Sequence, residues 1–326
     1  SEADANDREI VNMPEEDSRE NTREDIGEES TIEGTTPART ISGGTTPEEA
    51  TTEHTSVYAE WTDLYKEART YLYGTKEIEP DGEAAYELMK EEAENGNVLI
   101  VYQIKEYNKT ITIDLTEYNF TNFYSSSRYL IDINNAIFMD HPELIHFSYI
   151  TITELSKNHL KVDFDYVLSK EEYYNAIDEI KLLLNEIKND TKDLSDYEKV
   201  KYVYEWLGYR NEYDYSKNAI AQSAYSAFST KYSPVCSGFA RASQIIFQNI
   251  GINSLLISGN YNYSSHEWNY VMLDKQYYYY DVTQSKSGIE PVNNGLSYSG
   301  FLFKKHSGYH IHHKKVVPYA LGRKYL

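Results

Sequence analysis

The chain has 326 residues, a length that suits about two domains with a buried core, and it carries a formal net charge of −21. So acidic a chain is repelled by a polyanion, which argues against a nucleic-acid partner. Its single cysteine, Cys236, excludes an internal disulfide, and no uninterrupted apolar run approaches the ~20 residues that span a bilayer.

Residues 1–55 hold 16 Asp or Glu against 4 Arg, and they contain no Leu, Phe, Trp or Tyr. Such a stretch cannot bury enough apolar surface to offset its chain entropy, so a disordered linker is expected. It suits a tether to a membrane or cell wall, or a solvated tail with no role. The first residue is Ser rather than Met, as in a protein whose leader has been removed. A secreted or surface-anchored bacterial protein is therefore the expectation, with a cytosolic protein bearing an acidic tail as the alternative.

Residues 56–168 read as an accessory α/β region. Helices are predicted over 57–73 and 82–96. Two β-rich runs, Val98 to Tyr107 and Thr110 to Leu115, read as paired strands split by Asn108-Lys109. A helix over 120–139 follows. The strands His146 to Leu155 and Leu160 to Val167 then flank the turn Ser156-Lys157-Asn158. Two helices open on capping boxes, Ser169 with Glu172 and Ser195 with Glu198. The apolar positions Val200, Val203, Tyr204 and Leu207 line one face of the second. The 33 tyrosines are scattered without a basic groove, so they read as core and surface rather than as a base-stacking platform.

The segment 222–284 carries the chemistry. Ser233-Pro234 is a helix-start signal, with Ser as N-cap and Pro in the first helical position. Phe239, Ala242, Ile246 and Ile250 then recur at helical spacing up to Gly251. Cys236 thereby falls in the first turn, where the helix dipole and the free N–H groups favour a thiolate. Gly238 permits close approach by another segment. A hairpin follows, His266 to Leu273 and Gln276 to Thr283, around Asp274-Lys275. If Leu273 opposes Gln276, His266 and Asp281 are diagonal neighbours on one face, within side-chain reach. A thiol, an imidazole and a carboxylate in that arrangement suit nucleophilic acyl transfer: the base activates the thiol and the acid fixes the imidazole tautomer.

Three stretches resemble the catalytic motifs of the bacterial transglutaminase-like superfamily: Pro-Val-Cys-Ser-Gly-Phe-Ala (234–240), His-Glu-Trp-Asn-Tyr-Val (266–271) and Tyr-Tyr-Asp-Val-Thr (279–283). His141-Pro142-Glu143-Leu144 and Ser195-Asp196-Tyr197-Glu198-Lys199 resemble its flanking segments. The resemblance spans roughly residues 130–285. It departs from the common pattern at Phe239, Pro234 and Lys275, none of them in the triad. It implies Cys236 as nucleophile, His266 as base and Asp281 as the group that orients it, with Trp268 and Asn269 supporting the histidine strand. Beside the Cys236 N–H, the second oxyanion donor could be Gln222; a surface glutamine is the alternative.

The expected fold is α+β. A transglutaminase-like or papain-like core at 169–326 packs its catalytic helix on an antiparallel sheet, and the accessory α/β region 56–168 packs against that core. The expected activity is thiol acyl transfer on protein or peptide amides, most simply hydrolysis of the peptidase or amidase type. Protein cross-linking and a non-catalytic cell-surface binding module are the alternatives. No cofactor is implied. His306, His310, His312 and His313 cluster near the C-terminus, but no cysteine or carboxylate joins them at ligand spacing, so a metal site is not expected.

Overall fold

A computed structural model describes residues 9–12, 103–116, 120–286, 295–304, 308–311 and 320–326. The helices expected over 57–73 and 82–96 lie outside the described residues, as does most of 1–55.

The accessory layer is an antiparallel sheet with a helix. Strands β1 (Glu9–Asn12) and β2 (Thr110–Asp114) are its edges. Between them lie β3 (Phe147–Ser156) and β4 (His159–Tyr166), in the order β1-β3-β4-β2. Helix α1 (Phe123–Asp140) starts where the Asn122 side chain accepts from the Ser125 N–H. Its Leu130 and Ile137 join Ile150, Ile152, Leu160 and Val162 in one core. The β3–β4 turn falls at the expected place, and Asn158 supplies its left-handed φ of 63°.

Two features differ from the expectation. Four residues inside the acidic N-terminal stretch, Glu9–Asn12, pair with β3, with Ile10 opposite Ile152. The predicted strand Val98 to Tyr107 is not extended where it is described. Gln103, Ile104 and Lys105 are helical, and β2 pairs with β4 instead. Tertiary contacts override the β propensity there. The Tyr107 and Asn108 N–H groups turn back onto the Ile104 and Gln103 carbonyls, and buried Ile104 also meets the His146 ring through its carbonyl, 3.1 Å from Nε2.

The core follows. Helices α2 (Lys170–Thr191) and α3 (Asp196–Arg210) open on the two expected capping boxes. A 3-10 turn (Ala219–Gln222) and the single-turn α4 (Tyr225–Phe228) lead to α5 (Cys236–Ile250). Strands β5 (Ser254–Tyr261), β6 (Ser264–Leu273), β7 (Gln276–Tyr280) and β8 (Tyr309–Ile311) form a second antiparallel sheet in the order β7-β6-β5-β8. Helix α5 lies between this sheet and the α2–α3 layer. Phe239, Ala242, Ile246 and Ile250 share one core with Ile180, Leu184, Val203 and Leu207 on the helix side and with Val271, Tyr278 and Tyr280 on the sheet side. The opposite face of the sheet carries a separate aromatic cluster of Trp268, Tyr270, Tyr277, Tyr279 and Tyr309.

The layers are joined by specific contacts. Ser223 donates to the Ile145 carbonyl at 2.6 Å, and the Tyr107 hydroxyl donates to the Ser169 carbonyl at 3.1 Å. At this junction His146 is fully buried, stacked on Tyr107 and Tyr166, and burial pushes its pKa down to about 4. The unfolded chain therefore binds a proton that the folded protein refuses between pH 6.5 and about 4. Stability falls as pH drops through that window, by up to roughly 3 kcal/mol from this group. His146→Gln is expected to lose less stability than wild type between pH 7 and pH 4.5. Urea unfolding at the two pH values measures the difference, and equal losses would assign the acid sensitivity elsewhere.

Candidate active site

Three elements bring the site residues together. Helix α5 begins at Cys236 itself, not at Pro234. Val235 is the N-cap and offers no side-chain hydrogen bond. Ser233-Pro234 fails as a start signal because tertiary bonds hold the next residues extended. The Pro234 carbonyl accepts from the Asp214 N–H, and the Val235 N–H donates to the Ala221 carbonyl. Cys236 thus lies in the first turn as expected, as its first residue, where the dipole acts most directly. Cys236 is 3% exposed.

Gly238 is required beside it. A Cβ there would lie 2.4 Å from the Ala221 carbonyl oxygen and 2.6 Å from Ser226 Oγ. The segment 219–226 can thus lie directly on the start of α5, which sets Gln222 next to the residue that bonds the N-cap. The Gln222 side-chain Oε1 is buried and has no hydrogen-bond partner among the described residues.

The hairpin register is as expected from the sequence. Leu273 opposes Gln276, and Asn269 opposes Tyr280 at the last ladder pair. Its turn residues Asp274 and Lys275 have φ of 50° and 61°, the conformation for which a turn glycine would be favoured. Beyond Tyr280 the chain leaves the strand for a 3-10 turn, Val282–Lys286. The Asp281 N–H donates to the Gly300 carbonyl at 2.8 Å. A Cβ on Gly300 would sit 2.0 Å from the Asp281 carbonyl oxygen, so only glycine permits this approach.

His266 Nε2 lies 2.7 Å from Asp281 Oδ2. The Cys236 thiol is within hydrogen-bonding reach of the same imidazole. His266 is 8% exposed and Asp281 is 1% exposed. Burial disfavours a charged imidazole. The Asp281 charge and hydrogen bond, with a further contribution from Cys236, outweigh it and hold His266 well above its ordinary 6.5. Burial likewise opposes the Asp281 carboxylate, but the His266 charge and bonds from His266, Tyr309 and Thr283 keep it below its ordinary range. Asp281 Oδ1 accepts from the Thr283 N–H at 3.0 Å. Oδ2 also accepts from the Tyr309 hydroxyl at 2.7 Å and from Gln284 Nε2 at 3.4 Å.

The two remaining motif residues brace this pair. Asn269 donates to the Ala240 carbonyl at 3.0 Å, tying β6 to α5. Trp268 is fully buried, near-parallel to His266 with centroids 5.9 Å apart. Arg241 and Glu267, which the sequence reading did not single out, add an ion pair between the same elements at 3.2 Å, and the Arg241 guanidinium lies over the Phe138 ring of α1. Tyr309 was also missed. It belongs to β8, paired opposite Tyr261 of β5, and nothing local distinguishes it among so many tyrosines. Among the described residues no group of three His, Cys, Asp or Glu could hold a metal ion. His310 is exposed in β8, and His306, His312 and His313 lie outside the described residues.

A thiol at a helix start and an imidazole bonded to a buried carboxylate thus meet beside an antiparallel hairpin, an arrangement consistent with a thiol-dependent enzyme. Residues 183–282 match the family model of the transglutaminase-like superfamily, and the chain carries a transglutaminase-like core. Among solved structures, the crystal structure of a TGase is similar at 14% identity over 45% of this chain and 47% of that one, with a TM-score of 0.33. A proposed cysteine protease from Cytophaga hutchinsonii is similar at 13% identity over 43% of this chain and 58% of that one, with a TM-score of 0.29. The matched part thus spans about half the length of each. No curated protein matches the chain. Members of that superfamily are generally catalytic, and the likeness is consistent with a thiol-dependent enzyme.

Proposed function

We propose that the protein hydrolyses protein or peptide amides through a thioester on Cys236. The observation that carries this reading is His266 held between the Cys236 thiol and Asp281. The ionised Asp281 accepts the Nε2 hydrogen, which leaves Nδ1 to take the thiol proton. The resulting imidazolium is favoured by the Asp281 charge, and the thiolate by the uncapped start of α5. The thiolate attacks the amide carbonyl carbon. The carbonyl π electrons move to oxygen, where the Cys236 N–H and Gln222 Nε2 would stabilise the charge. As the oxyanion collapses, the C–N bond breaks and the amine leaves with the proton from His266. Water then adds to the thioester, giving its proton to His266. The C–S bond breaks, the carboxylic acid is released and the thiol is restored.

The test is mass spectrometry of peptide and protein mixtures incubated with wild type and with Cys236→Ala. Cleavage or deamidation that needs Cys236 supports hydrolysis. New isopeptide cross-links would replace it with transamidation, and no Cys236-dependent change would overturn the enzymatic reading. Gln222→Ala is expected to lower turnover by roughly 10²–10³. Alkylation of Cys236 by iodoacetamide should stay close to wild type, because displacement at a saturated carbon forms no oxyanion. Slower alkylation in step with turnover would instead mark Gln222 as part of the scaffold.

The acidic, Thr-rich composition of residues 1–55 supports a secreted or surface-tethered protein. Among the described residues no helix is long and apolar enough to cross a membrane. Fractionation of the native host would decide, and a purely cytosolic protein would end the proposal of export.

A further inference from the structure

Asp281 Oδ2 receives two close donors, His266 Nε2 and the Tyr309 hydroxyl, each at 2.7 Å. Tyr309 comes from β8, outside residues 183–282 that match the superfamily model. Its ring is 1% exposed and fixed on several sides. It lies 4.6 Å from Tyr261, edge-on to Trp268 at 5.1 Å and 5.0 Å from Phe303, centroid to centroid. Gly259 makes this seat: a Cβ there would lie 2.1 Å from the His310 carbonyl oxygen and 2.6 Å from the Trp268 ring. Three elements thus fix one phenol hydroxyl on the oxygen that already holds the histidine.

We propose that Tyr309 is a positioning residue of the acyl-transfer centre, whose hydroxyl shares Asp281 Oδ2 with His266 and so tempers the carboxylate that the imidazole feels. The inference rests on the thiol–imidazole–carboxylate reading above. A phenol O–H aimed at Oδ2 places the positive end of its dipole close to the imidazolium and draws on the same lone pairs. A histidine bound to an untempered carboxylate holds its proton too tightly to pass it to the leaving amine. Tyr309 keeps it able both to take and to give that proton.

The surroundings leave few other charges to set this balance. Facing His266 are Cys236 of α5, Tyr261 of β5, Tyr309 of β8 and Asp281. Facing Asp281 are also Tyr204 of α3 and Tyr280 of β7. Burial pushes the Tyr204, Tyr280 and Tyr309 hydroxyls up, so they stay neutral. Glu267, next in the chain, is paired with Arg241.

Tyr309→Phe keeps the ring and removes the hydroxyl, and Tyr309→Met serves as a second variant without it. The His266 titration is followed by NMR of 15N-histidine-labelled protein, a readout that does not need a substrate. The midpoint is expected to rise by roughly half a pH unit or more on loss of one buried hydrogen bond. Turnover should fall about tenfold, while alkylation of Cys236 at pH 7 stays within about twofold. A folded variant whose His266 midpoint is unchanged or lower would overturn the proposal and leave Tyr309 as packing. Should the wild-type protein show no elevated His266 titration and no rapid Cys236 alkylation, the triad reading itself falls, and this proposal with it. A wild type with both features and an unmoved variant sinks the Tyr309 role alone.

Discussion

Cys236→Ala is expected to abolish turnover, a loss on the order of 10⁶-fold, while the protein stays folded. The chemistry has no substitute nucleophile, because Cys236 is the only cysteine. The structural cost is small. Truncating the buried Cys236 side chain to a methyl group removes one sulfur atom at the start of α5 and costs about 1 kcal/mol, or a few degrees in Tm for a domain of this size. His266→Ala should be nearly as severe in turnover, since the thiol loses its base, but it also strips a buried partner from Asp281 and should cost more stability. Alkylation with a thiol-reactive probe separates the two effects. Wild type should react fast below pH 7, where a free thiol is protonated, and His266→Ala should react slowly there. Equal rates for both would mean that the imidazole does not activate Cys236.

Local rules carried much of this fold because several local signals agree with the tertiary structure. The capping boxes at Ser169 and Ser195 are made by their own first turns, so four residues suffice to read them. Gly251 ends α5 with φ of 77°, as a C-terminal glycine does. The β6–β7 register follows from a two-residue turn, which fixes the pairs as far as Asn269 and Tyr280 and leaves Asp281 one residue beyond them. Where distant segments decide, local rules stop. Ser233-Pro234 has the composition of a helix start, yet Asp214 and Ala221 bind the Pro234 carbonyl and the Val235 N–H and delay the helix to Cys236. Ile104 sits in a β-rich run, yet its carbonyl is tied to His146, 42 residues away. Tyr309 meets Asp281 across 28 residues, and no motif announces it. Cys236, His266 and Asp281 could be picked out because each lies on or beside an element with a local signature. The groups that brace them were not, because bracing is done by whatever the fold brings near.

Asp281→Asn tests that bracing most directly. The carboxylate accepts from His266, Tyr309, Gln284 and the Thr283 N–H, and an amide cannot accept on both sides. Its NH₂ group would meet donors, or it would turn and force His266 into the wrong tautomer. Turnover is expected to fall by roughly 10²–10⁴. The loss of stability should depend on pH in a defined direction. With Asp281 ionised, the folded-state pKa of His266 is raised, so the pair contributes fully below the unfolded value near 6.5 and fades as pH rises through the raised value. Without the charge, only the contribution of Cys236 opposes burial, so the His266 pKa falls. The folded variant then holds this proton less firmly than wild type does. The variant should therefore be destabilised most at pH 5.5, by about 3–5 kcal/mol as for a broken buried pair, and least near pH 9. Denaturant unfolding of both proteins at these two pH values gives the difference. A penalty that is equal at both, or larger at pH 9, would show that Asp281 does not hold a charged His266 in the folded protein.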